Sequence, residues 1–357
     1  MRLDHAWRAS KGHVQHGLDM EEIDLHSETI TMAHGSGGLA SQKLLRELIL
    51  PNFSNPALDE LNDGAILNVK SKIAVSTDSF IIRPIFFPGG NIGKLSICGT
   101  VNDLAVSGAI PKYLTASVIL EEGFPIDDLK TIVESMSKVA REIGIQIVTG
   151  DTKVVERGSA DGIFINTTGI GEIIDGVNLS PRNVQAGMKI LVSGFLGDHS
   201  AAILSSRHGL ETNLESDCAP LSKLTQEMLA TEKNIAAMRD ITRGGLAEVL
   251  NEIATESNVG ILIHEEKIPI RDEVRGVCEI LGFDPLNLAN EGKLIAFVPS
   301  ESAEKILDTM RENPFGKNAC EIGEVVKNSR GRVGMKTSIG SIRVVDFPPG
   351  ELVPRIC

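Results

Sequence analysis

Acidic residues stand beside small or polar ones at Asn62-Asp63-Gly64, Thr77-Asp78-Ser79, Asn102-Asp103 and Gly150-Asp151-Thr152-Lys153. Aspartate is a good turn former and helix cap, so each site alone reads as local structure. Together, with Lys153 close to Asp151, the carboxylates suit a divalent cation on a nucleoside triphosphate. Asn102 and Asp103 are polar insertions in a helix that is otherwise apolar.

Other segments offer phosphate contacts. In His34-Gly35-Ser36-Gly37-Gly38 the glycines let successive N–H groups converge on an anion, although a hinge explains them equally well. In Asp240-Ile241-Thr242-Arg243-Gly244-Gly245, an arginine and two glycines open a helix, which suits a phosphate clamp. The alternative there is a capped, glycine-rich helix entry. Pro88 to Leu95 resembles a P-loop but has Pro88 where glycine is required and Leu95 where Ser or Thr is required, so Walker-type binding is not supported.

Glu291, in Asn290-Glu291-Gly292-Lys293, is an isolated acid before an apolar strand. Spacing alone favours a solvated turn residue over a catalytic base. Cys357 ends a segment carrying Pro348, Pro349 and Pro354, which exclude helix and disfavour strand. Twelve residues at ~3.3 Å each reach roughly 40 Å, enough to cross a domain. A thiol there reads as a carrier or nucleophile. It is no prenylation site, because Pro354 stands where that cysteine belongs.

The elements that position these groups alternate. Strands are expected at Ile73–Thr77, Ser117–Leu120, Ile145–Val148 and Ile163–Ile170, and helices at Leu39–Leu50, Lys94–Ser107 and Ile126–Ile143. The turn-rich stretch Asp175–Gly187 then breaks the pattern. The second half adds strands at Lys189–Ser193, Gly260–His264, Leu294–Val298 and Glu321–Val326, and a hairpin over Arg332–Val345. Its helices are expected near Ser200–Arg207, Leu221–Thr231, Gly245–Ser257, Arg271–Leu281 and Ser302–Glu312. This is α+β or α/β in two domains, with a boundary near Asn183. Residues 1–22 are polar and without periodicity. Their His5, His13 and His16 fit no ligand spacing, so they read as a solvated extension.

Composition narrows the function. A net charge of −13 with no Lys/Arg block, and 4% aromatics, argue against a nucleic-acid surface. No apolar run approaches the ~20 residues of a membrane span. The cysteines Cys98, Cys218, Cys278, Cys320 and Cys357 are odd in number and far apart, which points to a reducing cytoplasm rather than a disulfide framework.

The strings Ala33-His-Gly-Ser-Gly-Gly38, Phe86-Phe-Pro-Gly-Gly90, Gly99-Thr-Val-Asn-Asp-Leu-Ala105, Val148-Thr-Gly-Asp-Thr-Lys-Val-Val155, Asn290-Glu-Gly-Lys293 and Pro354-Arg-Ile-Cys357 resemble the HypE family. These are the carbamoyl dehydratases of [NiFe]-hydrogenase maturation, within the PurM-like (aminoimidazole ribonucleotide synthetase) superfamily, which binds ATP without a Walker loop. The resemblance runs from about Ile30 to Cys357.

It implies a two-domain α+β PurM-like fold with ATP in the cleft between domains. An ATP-binding and dimerisation domain would span 23–183, a second domain 184–345, and a mobile tail 346–357. Cys357 would carry a carbamoyl group that ATP-dependent dehydration converts to thiocyanate. Lys153 would assist at the carboxamide and Glu291 would be the base. Asp63, Asp78, Asp103 and Asp151 would bind Mg2+. Gly35, Ser36, Gly37, Gly38, Asn102, Asp103, Thr152, Asp240, Thr242 and Arg243 would contact ATP. The implied partners are a second copy in a homodimer, the carbamoyltransferase HypF, and the HypC–HypD complex as cyanide acceptor. Another PurM-like ATP-dependent kinase or synthetase is the rival enzyme reading, and a metal-handling chaperone the rival binding reading. The rival enzymes need no C-terminal cysteine, whereas the chaperone reading rests on the histidine-bearing N-terminus and the free terminal thiol.

Overall fold

The computed structural model describes residues 29–34, 38–59, 65, 67–69, 72–348 and 353–357. The extension expected over 1–22 lies outside them. The first helical segment runs as α1 (Gly38–Leu44), a π turn (Leu45–Ile49) and α2 (Leu50–Phe53). Next come β1 (Ile73–Phe80), the short pair β2 (Phe86–Phe87) and β3 (Gly90–Asn91), and α3 (Ile92–Val106). Then follow β4 (Ala109–Glu121), α4 (Ile126–Ile143), β5 (Gln146–Val155) and β6 (Ile163–Ile173).

These strands form one sheet in the order β1-β6-β4-β5. Only β4 and β5 run parallel, and α4 makes the crossover between them. In α4 the residues Leu129, Ile132, Val133, Met136 and Ala140 are buried at helical spacing, so one apolar stripe fixes the helix on the sheet. β6 alternates by twos: Ile163, Ile165 and Thr167 face the helices, and the intervening residues face away. On that outer face Val75 pairs with Ile170, and Ile73, Val75 and Ile119 remain 42, 60 and 41% exposed.

The second half contributes β7 (Lys189–Val192), α5 (Asp198–His208), α6 (Ser222–Thr231), β8 (Ala237–Asp240) and α7 (Gly245–Ser257). After these come β9 (Gly260–His264), α8 (Asp272–Leu281), β10 (Leu294–Val298), α9 (Ala303–Glu312), β11 (Cys320–Val326), β12 (Arg332–Lys336) and β13 (Ile342–Val345). Its sheet has the order β13-β12-β9-β11-β7-β10-β8. Ile295 and Phe297 of β10 join the core with α7, whereas Leu294, Ala296 and Val298 join the core with α6 and α9. A strand covered on both faces must be apolar throughout, which is why Leu294–Val298 shows no alternation.

α3 is buried on nearly every side because it packs against β1 and β6 and also against α6 and β8. A third apolar cluster spans both halves: Ile82, Leu95 and Ile97 share it with Ala201, Ile203 and Val274, and with Val353 and Ile356 of the tail.

Two expectations are corrected and one strand is added. Gly150-Asp151-Thr152-Lys153 is strand rather than the turn after one, because β5 continues its pairing with β4 through Val155. Asp78 lies inside β1 rather than at its end, since pairing with β6 continues to Phe80. β8 was not anticipated. Its four residues are too few for a period, and its pairing with β10 defines it.

Candidate active site

A cavity of about 660 Å³ opens where the two halves meet. α3 supplies Asp103, the end of β8 supplies Arg239 and Asp240, and the turn into α7 supplies Thr242, Arg243 and Gly244. Phe347, Val353 and Ile356 of the C-terminal segment complete the wall. The turn is tight: Gly245 has φ +61°, and a Cβ there would meet Leu286 O at 2.5 Å. Glycine is therefore required for the chain to turn into α7 beside Arg243.

The carboxylates cluster. Ser76 Oγ donates to Asp103 Oδ2 at 2.5 Å. Burial pushes the Asp103 carboxyl up, against that hydrogen bond and the Arg239 charge. Burial also raises Asp78, opposed by the Ser79 N–H; the Asp103 charge adds to the rise and Arg243 opposes it. Asp240 is pushed up to about 7, by burial first and then by Asp103, with a smaller push from Asp78. Carboxylates held close enough to raise one another suit a divalent cation, which would relieve the repulsion. Among the described residues no group of three acids, histidines or cysteines already converges to hold a metal.

Asn102, one residue before Asp103, is 1% exposed and fully used. Its Nδ2 donates to Ala219 O (3.1 Å) and Glu291 O (3.3 Å), and its Oδ1 accepts from Leu221 N (2.7 Å). It thus ties α3 to the segment carrying Glu291. Glu291 is 3% exposed, not a solvated turn residue, and its Oε1 has no hydrogen-bond partner among the described residues. Burial drives its carboxyl well above the usual range, and Cys218, Asp240, Asp217 and Asp78 add to the rise. Gly292 is needed beside it, since a Cβ would meet Asp217 O at 1.9 Å.

Asp151, Thr152 and Lys153 lie elsewhere, on a second cavity of about 630 Å³ lined also by His34, Arg46 and Met136. Lys153 Nζ meets Asp151 Oδ1 at 2.8 Å, with both side chains more than half exposed. Register separates the two sites: Asp78 pairs with Thr167, Thr167 with Ala116, and Ala116 with Gly150. Three strand spacings of about 4.8 Å put roughly 14 Å between those backbones. Within one chain the structure joins Asp78, Asp103, Asp240, Thr242 and Arg243 but does not bring Asp151, Thr152 or Lys153 to them. Gly35, Ser36, Gly37 and Asp63 lie outside the described residues, and Gly38 begins α1.

The tail is docked. Ile81 N donates to Cys357 O (3.1 Å) and Arg83 N to Arg355 O (3.2 Å), so Arg355–Cys357 lies along the chain just beyond β1. Ile356 is 2% exposed. His199, fully buried at the start of α5, sits 2.8 Å from Ile356 O through Nε2 and 2.7 Å from Ser216 Oγ through Nδ1. His199 and Ser216 were not anticipated, since an isolated polar residue carries no sequence signal of a distant carbonyl.

Residues 61–173 match the AIR synthase related protein, N-terminal domain, and residues 185–336 its C-terminal domain. The chain is 49% identical over 341 residues to the carbamoyl dehydratase HypE of Azotobacter vinelandii, a match covering 95% of this chain and 100% of that protein. This chain belongs to the HypE family. A crystal structure of the hydrogenase maturation protein HypE in complex with ATP matches it with a TM-score of 0.90 and 47% identity, covering 92% of this chain and 100% of that one. A HypE–HypF complex structure matches at a TM-score of 0.76 and 48% identity, covering 85% and 99%. The two-domain PurM-like fold expected from the HypE resemblance is borne out. No described helix is long and apolar enough to cross a membrane.

Proposed function

We propose that this chain is an ATP-dependent carbamoyl dehydratase acting on its own C-terminal residue. The carrying observation is the docked tail: Ile356, which precedes Cys357, walls the cavity that holds Asp103, Asp240 and Arg243. HypF loads a carbamoyl group onto the Cys357 sulfur. The ATP γ-phosphoryl group passes to the carboxamide oxygen and ADP leaves. Two protons leave the nitrogen, the C–O bond breaks, phosphate departs, and S–C≡N remains. The cyano group then passes to the HypC–HypD complex.

Asp78, Asp103 and Asp240 are the groups suited to hold Mg2+ on the phosphates, and Arg243 with the α7 N-terminus suits the phosphates themselves. Glu291 is the base: its carboxyl is buried beside the segment that Asn102 ties to α3, and its Oε1 has no partner among the described residues and is open to a substrate proton. The tail must leave this position to meet HypF and HypC–HypD, and return for dehydration in a water-poor cleft.

The protein works as a homodimer in this reading. The exposed apolar face of Ile73, Val75 and Ile119 supports a second copy. Lys153 and Asp151, remote from the cavity within one chain, act on the site of that copy. Titration calorimetry tests the nucleotide site. Mg-ATP should bind the wild type, and neither ATP with EDTA nor Mg-ATP with Asp103→Asn should match it. Equal binding in all three cases would reject the site.

A further inference from the structure

Arg207, in the last turn of α5, makes no ion pair with a carboxylate among the described residues. Its guanidinium serves three backbone carbonyls instead: Nε donates to Arg83 O (2.7 Å), Nη1 to Pro354 O (2.8 Å) and Nη2 to Arg355 O (2.5 Å). A rigid fork of donors is suited to such a task, and a lysine point charge is not. Arg207 thus joins the chain after β1, in the first half, to the tail, from a helix in the second half. His199, at the other end of the same helix, takes the next free carbonyl, that of Ile356.

Holding is required. Arg355 has φ +54°, a conformation that a residue with a Cβ disfavours. Arg83, Arg207 and Arg355 also crowd together, and of these only Arg83 and Arg355 reach a carboxylate, Asp161. Burial, then the charges of Arg355 and Arg83, lower the proton affinity of Arg207.

Resting on the dehydratase reading above, we propose that Arg207 and His199 are positioning residues forming a latch on the tail backbone, which sets how Cys357 divides its time between the ATP cleft and the carbamoyl donor. The latch grips main-chain carbonyls and so does not depend on the state of the Cys357 sulfur. Thiol, carbamoyl and thiocyanate forms all dock alike, and release is governed at Arg207. Weakening the latch should therefore speed loading and slow dehydration, opposite effects that a merely structural lesion does not produce.

The test uses the full chain as wild type, Arg207→Ala and Arg207→Lys, with His199→Gln as a variant that keeps one N–H donor. The first readout is the alkylation rate of Cys357 by iodoacetamide, followed by mass of the C-terminal peptide. Loss of charge-assisted hydrogen bonds predicts a rise of about tenfold in Arg207→Ala and a smaller one in Arg207→Lys. The second is carbamoyl loading by HypF against ATP-dependent dehydration of preloaded protein. Loading should rise and dehydration fall by similar factors, with KM for ATP unchanged. An unchanged alkylation rate in Arg207→Ala, or loading and dehydration falling together, would overturn the latch. Wild-type protein that alkylates but never dehydrates would overturn the dehydratase reading instead, and the alkylation rates would still decide the latch.

Discussion

Asp240 and Asp103 face one another across the junction of the two halves, one at the end of β8 and the other on α3. Burial and then the Asp103 charge push the Asp240 carboxyl up to about 7. The pair is costly to an empty site and useful to one that receives a cation.

The cost has a defined pH window. Asp240 starts from 3.8 in the unfolded chain, so between about pH 4 and 7 the native state holds a proton that the unfolded state has lost. Its contribution to stability thus falls as pH rises through that window, and the penalty is complete above pH 7. Asp240→Asn should raise the nucleotide-free melting temperature at pH 8 by roughly 2–4 °C, with no gain near pH 4. It should also lose the stabilisation that Mg-ATP gives the wild type. Thermal melts that place the variant below the wild type at pH 8 would contradict the cluster.

Asn102 is expected to matter for both stability and rate. Asn102→Ala leaves Ala219 O and Leu221 N without their partner, while Glu291 O keeps the Ala219 N–H. Each unsatisfied buried group costs roughly 1–3 kcal/mol. Denaturant unfolding should show the loss, and kcat should fall because the backbone of Glu291 is no longer tied to α3. A variant as stable and active as wild type would show the three bonds to be dispensable.

Glu291→Gln preserves shape and removes the proposed base. General-base catalysis contributes about 10²- to 10⁴-fold, so dehydration should slow by that order while carbamoyl loading continues. Single-turnover assays should find carbamoylated protein accumulating. Thiocyanate forming at the wild-type rate would return Glu291 to the rank of a packed residue.

Complementation decides whether Lys153 acts across subunits. Lys153→Ala and Cys357→Ala chains should each be inactive alone. Mixed dimers contain one site with both residues if Lys153 reaches the partner's tail, so part of the activity should return. If no activity returns although subunit exchange is verified by mass, Lys153 serves its own chain or none.

Much of this fold was legible from the residues. Gly245–Ser257, Gly260–His264 and Leu294–Val298 appear with the expected bounds, because apolar spacing and flanking glycine or asparagine mark their limits. Asp103 and Arg243, polar where local packing gives no reason for them, were singled out from the residues, and both line the cavity between the halves. Glu291 was misread on spacing alone, since burial by Asp217–Ala219 and the tie to Asn102 are long-range. The separation of Asp151 from Asp78 was hidden for a similar reason: strand order places them on opposite edges of the sheet, and strand order is not written in any single strand. His199 and Arg207 act through the carbonyls of a distant segment, which no side-chain pattern advertises.

The most direct measurement is the mass of the C-terminal peptide after incubation with carbamoyl donor, HypF and ATP. The account predicts a carboxamide adduct on Cys357 that loses one water only when ATP is present, and no adduct on Cys357→Ala. An adduct that persists unchanged with ATP, or cyanide reaching HypC–HypD from the Cys357→Ala chain, would contradict the claim that Cys357 carries the group being dehydrated.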